Sequence, residues 1–183
     1  MARAVKRRYR DCMNVAIDLA DLDLSAPLDR HRDTVRPEWI DYNGHMNVAY
    51  YFYAFDQATE TLCKQLRCDH AYVAAQRGMC FTVEAHITYD REVRSGDPLR
   101  ITTQVLDWDA KRVHFFHHMY HGREGFLVAT NEQLMLHVGY QTRRAAPWHD
   151  DVMARLERMA DAHAALPRPK QAGRVIGITR RPA

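Results

Sequence analysis

The sequence predicts an α+β domain in which an antiparallel sheet wraps around one long helix. Three observations predict it. A single strong helical periodicity runs from Asn47 to about Arg67, the pattern switches at Gly78 to strand-like alternation that lasts to Val138, and the runs within that stretch are joined by tight turns too short to hold crossover helices. At 183 residues, 46% hydrophobic and 27% charged, the chain has the composition of a globular protein and enough length for one core without disulfide staples.

Residues 1–30 are expected to form an N-terminal extension: a basic start, MARAVKRRYR, then an acidic segment with Asp18, Asp21 and Asp23, and one short helix between Met13 and Leu22. A first strand is expected from His31 to Glu38, with Pro37 at its end or on an edge. The polar turn DYNGHMN, residues 41–47, follows. Gly44 frees its backbone, and Asn47 is a good N-cap for the long helix. In that helix Tyr51, Phe55, Ala58, Leu62 and Leu66 form one buried stripe. A short helix is expected over Asp69–Arg77.

From Phe81 to Tyr89 the residues Phe81, Val83, Ala85, Ile87 and Tyr89 alternate with polar ones, which predicts a strand with one buried face. The turn Ser95–Pro98, a run with Leu99, Ile101, Thr103 and Val105, the turn Asp107–Lys111, a strand over 112–121, the turn HGREG and a strand over 126–138 complete the meander. After Pro147 an amphipathic helix carries Val152, Leu156, Met159 and His163 to about Leu166. The domain is therefore drawn at 31–166, and the Pro-, Gly- and Arg-rich tail 167–183 is expected to be flexible.

Several functions are disfavoured. A net charge of +3 argues against general nucleic-acid binding. No apolar run approaches the roughly 20 residues of a membrane span, and no signal-peptide core follows the basic start, so a cytoplasmic location and no membrane partner are expected. Cys12, Cys63, Cys68 and Cys80 lack CxxC spacing and are read as reduced structural thiols. On a strand His117 and His121 share one face while His114 and His118 take the other, so this cluster does not supply three ligands to one metal, and no metal is expected. Ser25 and Ser95 lack a nucleophile elbow, and there is no phosphate-binding loop.

What remains is the junction at residues 41–48. A helix start has free N–H groups and a partial positive charge, which favour a developing oxyanion, and Asp41 sits just before it. The segment DYNGHMN, opening a long hydrophobic helix and followed by antiparallel strands, resembles the hot-dog-fold acyl-CoA thioesterases of the 4-hydroxybenzoyl-CoA thioesterase type, whose motif is D-x-x-G-H-x-N; the likeness covers about residues 31–140. More narrowly, VRPEWIDYNGHMN, ITYDREV, EQLMLHV and RRAAPW resemble the betainyl-CoA thioesterases of bacterial carnitine catabolism.

The resemblance implies a catalytic set at the junction. Thioester hydrolysis needs a nucleophile or base and a clamp on the carbonyl; Asp41 can attack to give a mixed anhydride or can activate water. The family's clamp is a backbone N–H that falls here on Val48. His45 either touches the thioester or orders Asp41, or else makes a structural hydrogen bond, and Asn47 has a sufficient task as a cap. A second branch of the fold carries its carboxylate two turns into the helix, which falls on Asp56, with Glu60 one turn further. For the substrate, Trp39, Tyr42, Tyr50 and Trp108 offer ring faces to a trimethylammonium group, Glu84 and His86 either line a cleft across a dimer or are exposed strand polarity, and Arg91, Arg94, Lys111, Arg112, Arg143 and Arg144 are candidates for the phosphates of CoA. No cofactor is implied beyond the CoA of the substrate. A homodimer, or a tetramer built from dimers, is implied, with sites between subunits. The rival readings are a non-catalytic acyl-CoA-binding module and a hot-dog hydratase or dehydratase.

Overall fold

The structure, a computed structural model, describes residues 19–178, so most of the helix expected between Met13 and Leu22 lies outside the described residues. The elements are β1 (Leu28–Thr34), a 3-10 turn (Pro37–Trp39), α1 (Val48–Leu66), α2 (His70–Ala74), β2 (Met79–Tyr89), β3 (Pro98–Trp108), β4 (Arg112–His121), β5 (Leu127–Val138) and α3 (Asp150–His163). All strand pairs are antiparallel, in the order β1-β3-β4-β5-β2, and the sheet curls around α1 in the hot-dog arrangement.

The two N-terminal expectations shift. β1 starts at Leu28 and ends at Thr34, not His31–Glu38, because Leu28 is a buried residue paired with Thr103 and Pro37 starts the 3-10 turn, where its fixed φ is suited. Leu22 and Leu28 both belong to the core, so the chain is packed on the domain well before residue 31.

α1 forms as its stripe predicts, and its two halves serve two cores. Tyr51, Ala54, Phe55 and Ala58 meet Leu99, Ile101, Met119 and Ala129. One end further along, Leu62, Cys63 and Leu66 meet Val105, Val113, Phe115 and Met135, together with Val152, Leu156 and Met159 of α3. Each such aliphatic or aromatic side chain contributes about 1.5–3 kcal/mol by burial. Between the cores His117 of β4 is fully buried against the Phe55 ring and bonded to Thr59 Oγ1 (3.1 Å) and Thr103 Oγ1 (2.9 Å). Burial pushes its pKa down to about 3, so it is neutral at ordinary pH.

β2 departs from expectation. Its even alternation is broken by a bulge between Thr82 and Glu84, and Phe81, Val83 and Tyr89 are 42%, 51% and 50% exposed. The cause is position: β2 is an edge strand, and among the described residues no strand pairs with its free side. The described part of the tail, residues 167–178, touches the sheet. Gln104 Nε2 donates to the Pro167 carbonyl at 3.4 Å and the Gly173 N–H donates to Glu132 Oε2 at 2.6 Å, so the tail crosses the sheet face opposite α1. There it helps enclose a cleft of about 960 Å³.

Candidate active site

The DYNGHMN segment folds into a small closed loop that delivers its residues to the start of α1. The Asp41 N–H donates to the His45 carbonyl, the Gly44 N–H donates back to the Asp41 carbonyl, both at 3.0 Å, and Gly44 takes the left-handed φ of 78° that this tight reversal requires. The Asp41 carboxylate accepts the Asn43 N–H at 2.8 Å, an Asx turn. Two bonds anchor the loop: Met46 N–H to the Val93 carbonyl (2.9 Å) and Asn47 N–H to the Trp39 carbonyl (2.8 Å).

Asn47 caps α1, accepting the Ala49 N–H on its side-chain oxygen at 3.0 Å. The Tyr50 N–H donates to the Asn47 carbonyl at 3.0 Å. The Val48 N–H, the first of the helix, has no partner among the described residues. Asp41 and an open amide at a helix N-terminus therefore share one short loop, an arrangement that can hold an anion or stabilise an oxyanion.

His45 turns to the neighbouring loop, with Nε2 3.1 Å from Glu92 Oε1; Arg94 Nη2 lies 3.5 Å from the same oxygen. Glu92 was not among the residues expected at the site. Its only sequence signal is membership of the ITYDREV segment, since a loop-to-loop contact has no periodicity to betray it. The helix stripe places Tyr51 in the core. Its ring is buried against Tyr89, while burial raises its hydroxyl pKa, opposed by the Val93 backbone amide and reinforced by the Glu92, Tyr89 and Asp41 charges. A long side chain on the first helical turn points back toward the N-terminus, which brings that hydroxyl to the loop.

Other expected residues divide. Tyr42, within the loop, is 97% exposed, and Arg91 and Arg94 lie on the adjoining segment, Arg91 stacked 5.0 Å over Phe126. Trp39 is buried, stacked on Tyr50 at 5.5 Å with Arg36 above its ring, so it and Tyr50 prop the helix start. Trp108 is not brought to the motif: it is buried in the core at the far end of α1. Glu84 lies on the face opposite α1, paired with Leu134, and shares with Trp108 the cleft under the tail. Asp56 and Glu60 are exposed on α1, on the stripe Val48, Phe52, Asp56, Glu60 spaced by four; Asp56 stands about 12 Å along the helix from Val48. Arg112 is held by Asp109. Arg143 lies against Met79 at the beginning of β2, with Arg144 next to it, whereas the motif lies at the Tyr89 end.

The four histidines split between the two faces as their spacing predicts, His117 and His121 buried on one side, His114 bonded to Glu132 on the other. The thiols do what their spacing does not suggest: Cys63, Cys68 and Cys80 meet, and S–H donation from Cys63 and Cys68 pulls the Cys80 thiol pKa far down.

A family model for the thioesterase-like superfamily matches residues 35–156. The betainyl-CoA thioesterase of Pseudomonas aeruginosa is 39% identical over 155 residues, covering 85% of this chain and 98% of that protein. The L-carnitine dehydrogenase/betainyl-CoA thioesterase of Rhizobium meliloti is 40% identical over 159 residues, 87% of this chain but only 32% of that longer protein. Among solved structures, a Staphylococcus aureus protein in complex with CoA superposes with a TM-score of 0.77 at 27% identity, covering 85% of this chain and 99% of that one.

Proposed function

Because the chain belongs to the thioesterase-like superfamily, we propose that it is an acyl-CoA thioester hydrolase that cleaves betainyl-CoA to betaine and CoA. The observation that carries the chemistry is that one short loop holds both Asp41 and, at the start of α1, the Val48 amide that has no partner among the described residues. The likeness to a betainyl-CoA thioesterase over nearly its whole length supports the substrate.

Asp41, as carboxylate, attacks the thioester carbon or takes a proton from an attacking water. In either route the carbonyl oxygen gains the negative charge, and the Val48 N–H and the positive end of α1 stabilise it. Collapse of the tetrahedral intermediate expels CoA as thiolate. By the first route a mixed anhydride on Asp41 remains for water to hydrolyse. His45, oriented by Glu92 at 3.1 Å, is set to protonate the departing sulfur. The exposed Tyr42 ring is offered to the trimethylammonium group, and Arg91 and Arg94 to the phosphates of CoA.

The working unit is a homodimer joined through the free edge of β2. Two copies related by a two-fold axis pair their β2 edges antiparallel, which covers Phe81 and Val83. It also brings the Met79 end of one strand beside the Tyr89 end of the other. Arg143 and Arg144 of the second copy then approach the Asp41 loop, a reason for arginines that lie far from it within one chain. Phe81→Lys/Val83→Lys is expected to sediment as a monomer and to lose most of its activity, with the circular dichroism of the wild type. A wild type that is monomeric at assay concentration and fully active would remove the dimer.

The substrate is tested by thiol release from betainyl-CoA against 3,3-dimethylbutyryl-CoA, which has the same shape without the charge, and against acetyl- and benzoyl-CoA. The expected kcat/KM favours betainyl-CoA over its neutral isostere by roughly tenfold or more, the worth of a cation–π contact of about 1.4–2 kcal/mol. Equal turnover of the isostere would leave the thioesterase but discard recognition of the cation.

A further inference from the structure

Three thiols that are scattered along the sequence meet at the end of α1 remote from the Asp41 loop. Cys63 comes from the last turns of α1, Cys68 from the loop just past it and Cys80 from the start of β2, and their Sγ atoms all lie within 4.8 Å of one another. The chain is bent to do this. Arg67 adopts the left-handed conformation, φ 57°, that stops α1, and the Cys68 N–H then donates to the Cys63 carbonyl at 2.9 Å. β2 enters beside them, with the Cys80 thiol donating to the Cys68 carbonyl at 3.6 Å.

The donor set is all sulfur. Met135 of β5 places its Sδ 4.0 Å from Cys63 Sγ. The imidazole across the sheet from Cys80 is His137, and both of its ring nitrogens are engaged, Nε2 with the Tyr72 hydroxyl at 2.8 Å and Nδ1 with the Ala146 carbonyl at 2.9 Å. Cys63 and Cys68 are buried and Cys80 is partly exposed, which gives the pocket one open side. The hydrolytic chemistry makes no use of it: Cys63 lies about 22 Å along α1 from Val48.

We propose that Cys63, Cys68 and Cys80, flanked by the Met135 thioether, form a binding site for a soft, thiophilic metal ion of the Cu(I) type. Thiolate and thioether ligands select such ions. Zn²⁺ sites are instead completed to four ligands by further thiolates, imidazoles, carboxylates or water. The carbonyl end of α1 adds partial negative charge that favours a cation. Each thiol that binds the ion releases its proton to solvent, and neither sulfur nor metal changes oxidation state.

The test uses the full chain, reduced and kept free of oxygen, titrated with Cu(I) held by a coloured chelator. The wild type is expected to withdraw one equivalent from the chelator and to melt at a higher temperature with it. Cys12→Ser is expected to behave as the wild type. Cys80→Ser, which alters the least buried of the three thiols, is expected to keep its circular dichroism and thioesterase activity but to lose affinity by more than the roughly 10–100-fold typical of losing an outer-shell partner. No withdrawal by the wild type, equal withdrawal by Cys80→Ser, or displacement of Cu(I) by equimolar Zn²⁺ would each overturn the proposal.

Discussion

Asp41→Asn is expected to lower kcat for acyl-CoA hydrolysis by roughly 10²–10⁴-fold, the range of a positioned acid–base group. The substitution isolates charge from structure. Asp41 accepts the Asn43 N–H through one side-chain oxygen, and an asparagine offers an oxygen at the same point, so the turn and its bonds to His45 and Gly44 survive. What disappears is the negative charge that the proposed chemistry needs, to attack carbon or to take the proton from water. KM should change little, because binding of CoA draws on other groups, and the melting temperature should stay near that of the wild type. Kinetics together with thermal melting check both halves of this expectation.

Val48→Pro is expected to lower kcat by roughly 10²–10³-fold, the cost of losing one oxyanion donor. Proline has no N–H, so it deletes the proposed clamp itself. In the body of a helix it would be ruinous, but at the first helical position it is tolerated, since no intrahelical bond uses that donor and its φ suits the helix. The residue before it must be extended, and Asn47 already has φ −63° and ψ 142°. The fold should therefore persist with the clamp gone. Val48→Ala keeps the amide and should retain activity within a few fold. Measuring kcat for the three proteins, with circular dichroism at each step, separates the amide from the side chain.

Much of this was legible in the sequence because it is local or periodic. The stripe from Tyr51 to Leu66, the cap at Asn47 and the division of the four histidines all follow from spacing along one element, and each stands in the fold as spacing requires. The Asp41–Val48 junction was legible for the same reason, being one turn followed by one helix start. What was not legible depends on contacts between distant segments. Glu92 meets His45 from another loop, the Tyr51 hydroxyl folds back from a residue whose ring is core, and three thiols converge through a helix stop and a strand entry. Trp108 illustrates the opposite error. An aromatic on a hairpin invites a ligand reading, yet the length of α1 sets it in the other core. The early start of β1 was hidden because Leu28 is followed by alternating charged residues, DRHRD, whose strand pairing comes from β3 and not from their own apolar content.

Asp56 remains the natural competitor to Asp41, since it lies on the same helical stripe as Val48, two turns on. The central claim is therefore tested most directly by thiol release from betainyl-CoA catalysed by the wild type, Asp41→Asn and Asp56→Asn side by side. The account predicts release at least about 100-fold slower in Asp41→Asn and close to the wild-type rate in Asp56→Asn. Full activity in Asp41→Asn with collapse in Asp56→Asn would contradict it and would move the chemistry onto the exposed face of the helix.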